Sequence, residues 1–297
     1  MIRVDRTAAA DSLLIALDTL TFVAPALRWD ALIRRGAFDT LETALQNTIA
    51  RGIADERRDA WWWRAIALRV RGQLRAALAP ARKAGPGSLE AQVLCEGGAV
   101  RQGAEQFQRI ADRALVEAGD QAPQYHRDKH RAWYLTQVAS CLALAGDTAG
   151  LVPLADTIRV IGARTSWVRD QRLHHYVRGL IWKARKDWVR AAAEFRAATS
   201  SPVNGLTRNN YELAGALLSL GDARGAIASL QAALLGPQEA GGLYLTRTEL
   251  EERLAEAFTA ARQLDSARVH YRQVVNAWRN ADPQFRSRWN VALTRSR

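Results

Sequence analysis

Residues 172–202 read RLHHYVRGLIWKARKDWVRAAAEFRAATSSP, and the spacing of five residues in this stretch predicts the fold. They follow one another at intervals of three, nine, four and three residues: Gly179, Trp182, Ala191, Phe195 and Ala198. Small residues at Gly179 and Ala191 would let two antiparallel helices cross closely, and the two aromatic rings would fill the space beside the crossing. Residues 186–188 (KDW) would form the turn between the helices. The stretch therefore predicts a helical hairpin.

The same intervals recur twice further along the chain. One unit contains Ala214, Leu217, Ala226, Leu230 and Ala233, and the other contains Ala255, Phe258, Ala267, Tyr271 and Val274. Less complete versions lie upstream, with Gly36, Gly72 and Gly146 in the predicted turns. No segment alternates with a period of two, so no strands are expected. The sequence predicts an all-α fold, an α-solenoid of six or seven antiparallel helix pairs.

The segment from residue 88 to residue 118 fits the repeat least well. We expect a short helix, a break at Gly97 and Gly98, and then a longer helix. Ser88 follows the turn sequence AGPG and is a candidate N-cap for the short helix.

The spacing resembles that of the tetratricopeptide repeat, whose period is about 34 residues. Residues 167–288 also resemble the C-terminal repeat region of bacterial multidomain proteins that begin with a Ser/Thr kinase or a transcriptional-activator domain. The resemblance implies divergent helical repeats over residues 1–125 and clearer repeats over residues 126–297, in one continuous solenoid. It further implies a scaffolding, sensing or signalling role.

The chain is strongly basic, with 42 Lys and Arg against 30 Asp and Glu and a net charge of +12. Such charge invites a nucleic-acid partner. However, almost all of these basic residues are Arg, a bias that a GC-rich genome also produces. Net charge alone speaks to non-specific association, so nucleic acid is a possible partner that we do not favour.

No motif in the sequence carries recognisable chemistry. His126-Arg127-Asp128 matches part of a kinase catalytic loop, but the required Asn is replaced by Trp133. His126 and His130 have a metal-ligand spacing without a third ligand. We therefore predict no catalytic residue, no metal, no cofactor and no enzymatic activity.

The two cysteines, Cys95 and Cys141, lie in apolar helical patterns and are expected to be buried reduced thiols. No apolar run is long enough to span a bilayer. We interpret the apolar residues 12–27 as a helix rather than a signal peptide. The sequence therefore predicts a cytoplasmic protein that does not bind membranes, and it leaves the oligomeric state open.

The concave surface is the expected binding site, because the first helix of each pair lines it in this repeat class. Groove-facing positions lie three residues before and one residue after each small crossing residue. Of the predicted partner-binding residues, Trp62, Ile66, Thr136, Tyr176, Tyr211 and Glu252 occupy these positions. Arg69 and Lys183 extend the same stripe one turn along, and Trp133 and Arg208 precede it. Repeats that grip a peptide C-terminus use Lys and Asn at the groove-facing positions, and neither residue occupies them here.

Three consecutive tryptophans test this register. Trp61 should be core, Trp62 should face the groove, and Trp63 should pack against an adjacent helix.

The leading hypothesis is a non-catalytic scaffold or sensor that binds a protein or peptide segment. The alternatives are a basic nucleic-acid-binding repeat protein and a regulatory module of a separate kinase or transcription regulator.

Overall fold

The computed structural model describes residues 25–117, 124–199, 205–235 and 244–297, which form helices and turns without a β-strand. Fifteen α-helices lie in these ranges. The first eight are α1 (Pro25–Arg35), α2 (Phe38–Arg51), α3 (Ala54–Val70), α4 (Leu74–Lys83), α5 (Ser88–Glu96), α6 (Val100–Glu117), α7 (Gln124–Leu144) and α8 (Thr148–Gly162). The others are α9 (Val168–Ala184), α10 (Trp188–Ala198), α11 (Leu206–Ser219), α12 (Ala223–Leu234), α13 (Arg247–Ala260), α14 (Leu264–Ala277) and α15 (Arg286–Arg295).

The helices form seven consecutive pairs, from α1 with α2 to α13 with α14, and α15 packs on the last pair. Each helix packs on its neighbours in chain order, as expected for a solenoid. The predicted all-α helical repeat solenoid is thus confirmed.

The turns inside the pairs share one backbone conformation. Each has a residue with positive φ just after the first helix, namely Gly36, Gly72, Gly98, Gly146, Lys186, Gly221 and Arg262. In all of these turns except the one at Gly98, the N–H of the next residue donates to the carbonyl five residues earlier. This is the bonding of a Schellman helix end. The exception falls in the segment that fits the sequence repeat least well.

Aspartate caps begin three of the second helices. The side chains of Asp147, Asp187 and Asp222 accept hydrogen bonds from the backbone N–H groups three residues further on, at 2.9, 3.1 and 2.8 Å. Each cap satisfies a backbone N–H that has no partner inside the helix. The predicted turns at residues 146–147, 186–188 and 221–222 are therefore confirmed.

The crossing of α9 and α10 depends on the missing side chain of Gly179. A Cβ atom there would lie 2.5 Å from Cε1 of Phe195, a side chain that is fully buried. Ala191 is fully buried in the same pair, as are Ala214 and Ala226 in the next pair. The predicted small-residue crossings are confirmed.

The array closes on itself. The Thr248 hydroxyl, at the start of α13, donates to the Val70 carbonyl at the end of α3 (2.7 Å). The Gln73 side chain donates to the Asn280 carbonyl (3.0 Å), beyond α14. The second helix pair therefore contacts the seventh, and the solenoid forms a ring.

Within the described ranges the core consists of two buried clusters of apolar side chains. The smaller extends from Trp29 to Val93 and the larger from Ala91 to Ala292, so they meet at α5. The domain boundary placed at residue 125 from the sequence stays a prediction.

The prediction of reduced thiols is wrong. Cys95 on α5 and Cys141 on α7 form a disulfide, with their Cα atoms 5.5 Å apart. The two residues are in different helix pairs, and only packing of the pairs brings them together. Their sequence environment indicated burial, which is correct, but carried no signal of this contact.

Two local predictions are also wrong. Ser88 is the first residue of α5, and Gly87 occupies the N-cap position. Trp61 is half-buried, beneath the Lys83 ammonium (4.3 Å from the ring centroid).

Trp63 packs edge-on against Trp29 of α1 (6.4 Å between centroids), as expected for a contact with an adjacent helix. The helix predicted over residues 12–27 lies mostly outside the described residues.

Candidate functional site

The first helices of five consecutive pairs surround a cavity of about 460 Å³ on the concave side. Residues of α5, α7, α9, α11 and α13 line it, together with the turn before α10 and the segment before α13. Helices α5 and α13 are far apart in the chain, and closure of the ring brings both to the same cavity. Its volume is within the range of ligand-binding sites, about 300–1,000 Å³.

Arg208 is the central polar residue of this cavity. Only 5% of it is exposed, and its Cζ atom lies 4.0 Å from the centroid of the Tyr176 ring. The Trp133 and Tyr244 rings flank it, with centroids at 5.3 and 5.6 Å. Contact with several ring faces stabilises a guanidinium cation. The three rings, from α7, α9 and the segment before α13, thus form an aromatic cage around Arg208.

The hydrogen bonds of Arg208 are incomplete. Its Nη1 atom donates to Oε1 of Gln137, whereas Nε and Nη2 are buried and have no hydrogen-bond partner in the described part of the chain. Among the described residues Arg208 has no carboxylate within ion-pair distance, because Glu212, one turn further along α11, binds the Lys183 ammonium instead (2.6 Å). A buried cation without a counterion is costly. The cavity therefore contains one positive charge that the described protein does not neutralise.

Hydrogen bonds hold two rings of the cage. The Trp133 indole N–H donates to the Tyr244 hydroxyl (2.9 Å), and the rings meet edge to face. Burial raises the pKa of Tyr244 to about 12, even though the Trp133 donor opposes the shift. Burial likewise raises the pKa of Tyr176, and the Arg208 charge opposes it. Both phenols are therefore neutral hydrogen-bonding groups at neutral pH.

Other charges of the cavity are paired with one another. Arg253 of α13 stacks on the Tyr211 ring, with its Cζ atom 3.8 Å from the centroid. It uses the space left by Gly215, where a Cβ atom would lie 2.7 Å from an Arg253 nitrogen. Burial alone would raise the pKa of Glu212, but the cations of Lys183 and Arg253 outweigh burial and lower it. Glu212 therefore stays ionised and neutralises Lys183.

A second hollow of about 310 Å³ adjoins the cavity, and Glu96, Leu144 and Glu249 line both. Here Arg69 is 1% exposed and its guanidinium binds both carboxylate oxygens of Glu96. Unlike Arg208, Arg69 thus has a carboxylate partner. Cys95 also lines this hollow.

The structure brings four predicted residues to the cavity, namely Tyr176, Lys183, Arg208 and Tyr211. Trp133 lies behind them in the cage, and Arg69 lies in the adjoining hollow.

The other four are elsewhere. Ile66 is buried in the N-terminal cluster and Trp62 packs against it. Thr136 is fully buried, with its hydroxyl bonded to the Ala132 carbonyl (2.8 Å). Glu252 forms an ion pair with Arg288 of α15.

Sequence reasoning missed several lining residues, above all Glu212, Tyr244 and Arg253. In α13 the side chains that line the cavity are Glu249 and Arg253, which correspond in the repeat to Arg208 and Glu212 of α11. Tyr244 precedes α13, in a connection that the repeat pattern does not cover.

No metal site is apparent among the described residues, since no three His, Cys, Asp or Glu side chains are grouped suitably. In the same ranges no helix has the length and apolar character to cross a bilayer. No protein-family model matches the chain, and a search of the curated proteins finds no match either.

Proposed function

We propose that this chain is a non-catalytic binding module of the tetratricopeptide type. It holds a segment of a partner protein, or a peptide, in the concave cavity, and so acts as a scaffold or a sensor in signalling. The cavity and the adjoining hollow provide a continuous recess along the first helices of the ring.

The observation that carries this proposal is the composition of the cavity. Aromatic rings and cations converge there, with Tyr176, Tyr211 and Arg208 on adjacent first helices. Aromatic and Arg side chains dominate the energy of binding at protein interfaces. The proposal needs only groups that bind a ligand, and it assigns a catalytic role to no residue.

The test is selection of binding peptides followed by calorimetry. A displayed library of random peptides is panned against the purified chain, and selected peptides are titrated into three proteins: the unaltered chain, Tyr211→Leu and Arg224→Gln. We expect Tyr211→Leu to weaken binding about tenfold or more, as for an interface hot spot. Arg224 is exposed on α12 and serves as the matched control, so its replacement should change nothing. Peptides that bind all three proteins equally would reject the cavity as the site.

Nucleic-acid binding is the second candidate, and a basic hollow on α8 and α9 favours it. Arg159, Arg178 and Arg185 line this hollow of about 240 Å³ beside Trp182. Aromatic rings with nearby Arg side chains suit single-stranded nucleic acids. Titration of labelled RNA and DNA at two salt concentrations tests it, because counterion release makes such binding salt-dependent. Absence of binding at low salt would exclude it.

A cytoplasmic location is kept as a hypothesis only. The Cys95–Cys141 disulfide weighs against it, because disulfides persist mainly in oxidising compartments. Alkylation of the chain in intact cells, followed by mass measurement, decides whether the two thiols are free where the protein resides.

A further inference from the structure

The charge on Arg208 distinguishes it from the other buried arginine of the concave side. Arg69 is neutralised by Glu96, whereas Arg208 retains two hydrogen-bond donors without partners. Its one hydrogen bond is to a neutral amide, that of Gln137. In a site of low dielectric constant, such a charge produces a strong positive potential in the space beside it.

Lys186, in the turn before α10, adds to this potential, whereas the charge of Arg253 is opposed by the nearby Glu212 and Glu249. Glu212 is paired with Lys183, and Glu249 accepts hydrogen bonds from Thr246 at the start of α13. Among the described residues, Glu212, the carboxylate one turn from Arg208, is thus engaged by Lys183, and two Arg208 donors are left without a partner.

Apolar and aromatic side chains form much of the remaining lining, beside the polar Gln92, Glu96 and Ser140. The Tyr176 and Tyr211 rings, Leu180, Leu245 and Trp188 contribute to the walls. A cavity of about 460 Å³ bounded by a closed ring suits a compact molecule.

We infer that the cavity binds a small organic anion with a flat apolar body, whose charged group lies at the Arg208 end and whose body packs between the tyrosine rings. This inference rests on the cavity being the binding site of the proposed function, and it adds a ligand class that is not a peptide. The proposed sensor would then respond to a free anion of the size of a metabolite, which would occupy the cavity.

Two fluorescent probes of matched shape test the inference. 8-Anilinonaphthalene-1-sulfonate has a flat aromatic body and an anionic group, and N-phenyl-1-naphthylamine has the same body without charge. Both are titrated into the unaltered chain, Arg208→Gln and the control Arg224→Gln. We expect saturable single-site binding of the sulfonate, weakened about tenfold by Arg208→Gln, which corresponds to about 1.4 kcal/mol. Binding of the neutral probe should change less than about twofold, since apolar contact does not depend on charge.

Circular dichroism and thermal unfolding establish that each variant is folded. Should Arg208→Gln fail to fold, the salt dependence of the unaltered chain provides the test, because added salt weakens the attraction of an anion but not of a neutral probe. The inference is overturned if the sulfonate does not bind, if both arginine variants weaken it equally, or if salt leaves its affinity unchanged.

The outcome is separable from that of the proposed function. Selected peptides that depend on Tyr211, together with failure of the sulfonate to bind, would leave the proposed function standing and reject the organic anion. If the sulfonate binds in a way that depends on Arg208 and no peptide is selected, the organic anion would stand and peptide binding would be rejected.

Discussion

The backbone N–H of Asp282 donates to the backbone carbonyl of Gly72 at 2.9 Å, which joins the last helix pair to the second. The Asp282 carboxylate also accepts a hydrogen bond from the backbone N–H of Arg75 (2.9 Å), at the start of α4. In an open solenoid each repeat contacts only its neighbours. These bonds add a contact between distant repeats, and they bring the two ends of the concave surface together.

Gly72→Ala should open this contact. The φ of Gly72 is +67°, and a Cβ atom there would lie 2.8 Å from the side chain of Ala281 and 3.1 Å from the Trp278 ring. Left-handed backbone costs an alanine about 1 kcal/mol, and the overlap should add about 1–3 kcal/mol. Urea unfolding measures the loss, and small-angle X-ray scattering should show a larger radius of gyration.

Gly146→Ala is the matched control for this variant. Gly146 has a similar φ of +73°, but no atom lies within 4 Å of its hypothetical Cβ. It should lose only the backbone contribution and keep its radius of gyration. Equal losses in the two variants would mean that the contact at Gly72 contributes nothing.

Gly179→Ala should destabilise the crossing of α9 and α10 by about 2 kcal/mol, because its methyl group would overlap the buried Phe195 ring. The added Phe195→Leu substitution should recover part of the loss. Gly215→Ala is the control on the next first helix, where the close atom is the flexible end of Arg253. That variant should gain from helix propensity, by up to about 1 kcal/mol. Thermal unfolding is measured for the unaltered chain and the three variants. Equal stability of Gly179→Ala and Gly215→Ala would falsify the close crossing of α9 and α10.

The lowered pKa of His174 predicts that the stability of the fold depends on pH. Burial, followed by the nearby His175 and Arg178, lowers its pKa from 6.5 to about 4. Between these values the unfolded chain binds a proton at this position and the folded chain does not, so stability falls as the pH is lowered from 6.5 towards 4. Above pH 6.5 this contribution to stability is fully present.

The measurement compares urea unfolding of the unaltered chain and His174→Gln at about pH 7 and pH 4.5. Carboxylates contribute nearly equally to both proteins, so their effect cancels in the difference. The variant should lose less stability on acidification. Parallel losses would show that His174 protonates equally in the folded and unfolded states.

The disulfide should contribute substantially to stability, because it closes a loop across 46 residues. The chain-entropy relation assigns such a loop about 4 kcal/mol, and measured values are commonly about 2–4 kcal/mol. The double variant Cys95→Ala/Cys141→Ala should therefore unfold at a lower urea concentration than the oxidised chain. The reduced unaltered chain is the reference, and it should resemble the variant. Two alkylatable thiols in the purified denatured chain would contradict the bond.

The repeat pattern was sufficient to predict the fold, because its signals are local. The turn residues, and the small residues at Gly179 and Ala214, depend only on one helix pair. The closure of the ring was not predictable in this way. It depends on the summed rotation of seven pairs, and no single interval in the sequence records that sum.

The same distinction applies to the candidate site. Tyr176, Lys183, Arg208 and Tyr211 lie in two of the three pairs with the complete spacing, and there the register led to the cavity. Trp62 and Glu252 lie in pairs towards the two ends of the array. Arg253 lines the cavity in place of Glu252, which instead pairs with Arg288. Pairing choices such as these depend on which charges meet across helices, and a periodic pattern does not contain them.

Ring closure also limits how the chain can change in evolution. An open array can gain or lose a repeat by duplication or deletion, because the neighbours simply stack again. Here an extra pair would move Thr248 away from Val70 and Asp282 away from Gly72. The number of helix pairs from the second to the seventh is therefore fixed by this contact, and variation between them should be confined to substitutions and to the lengths of the connections.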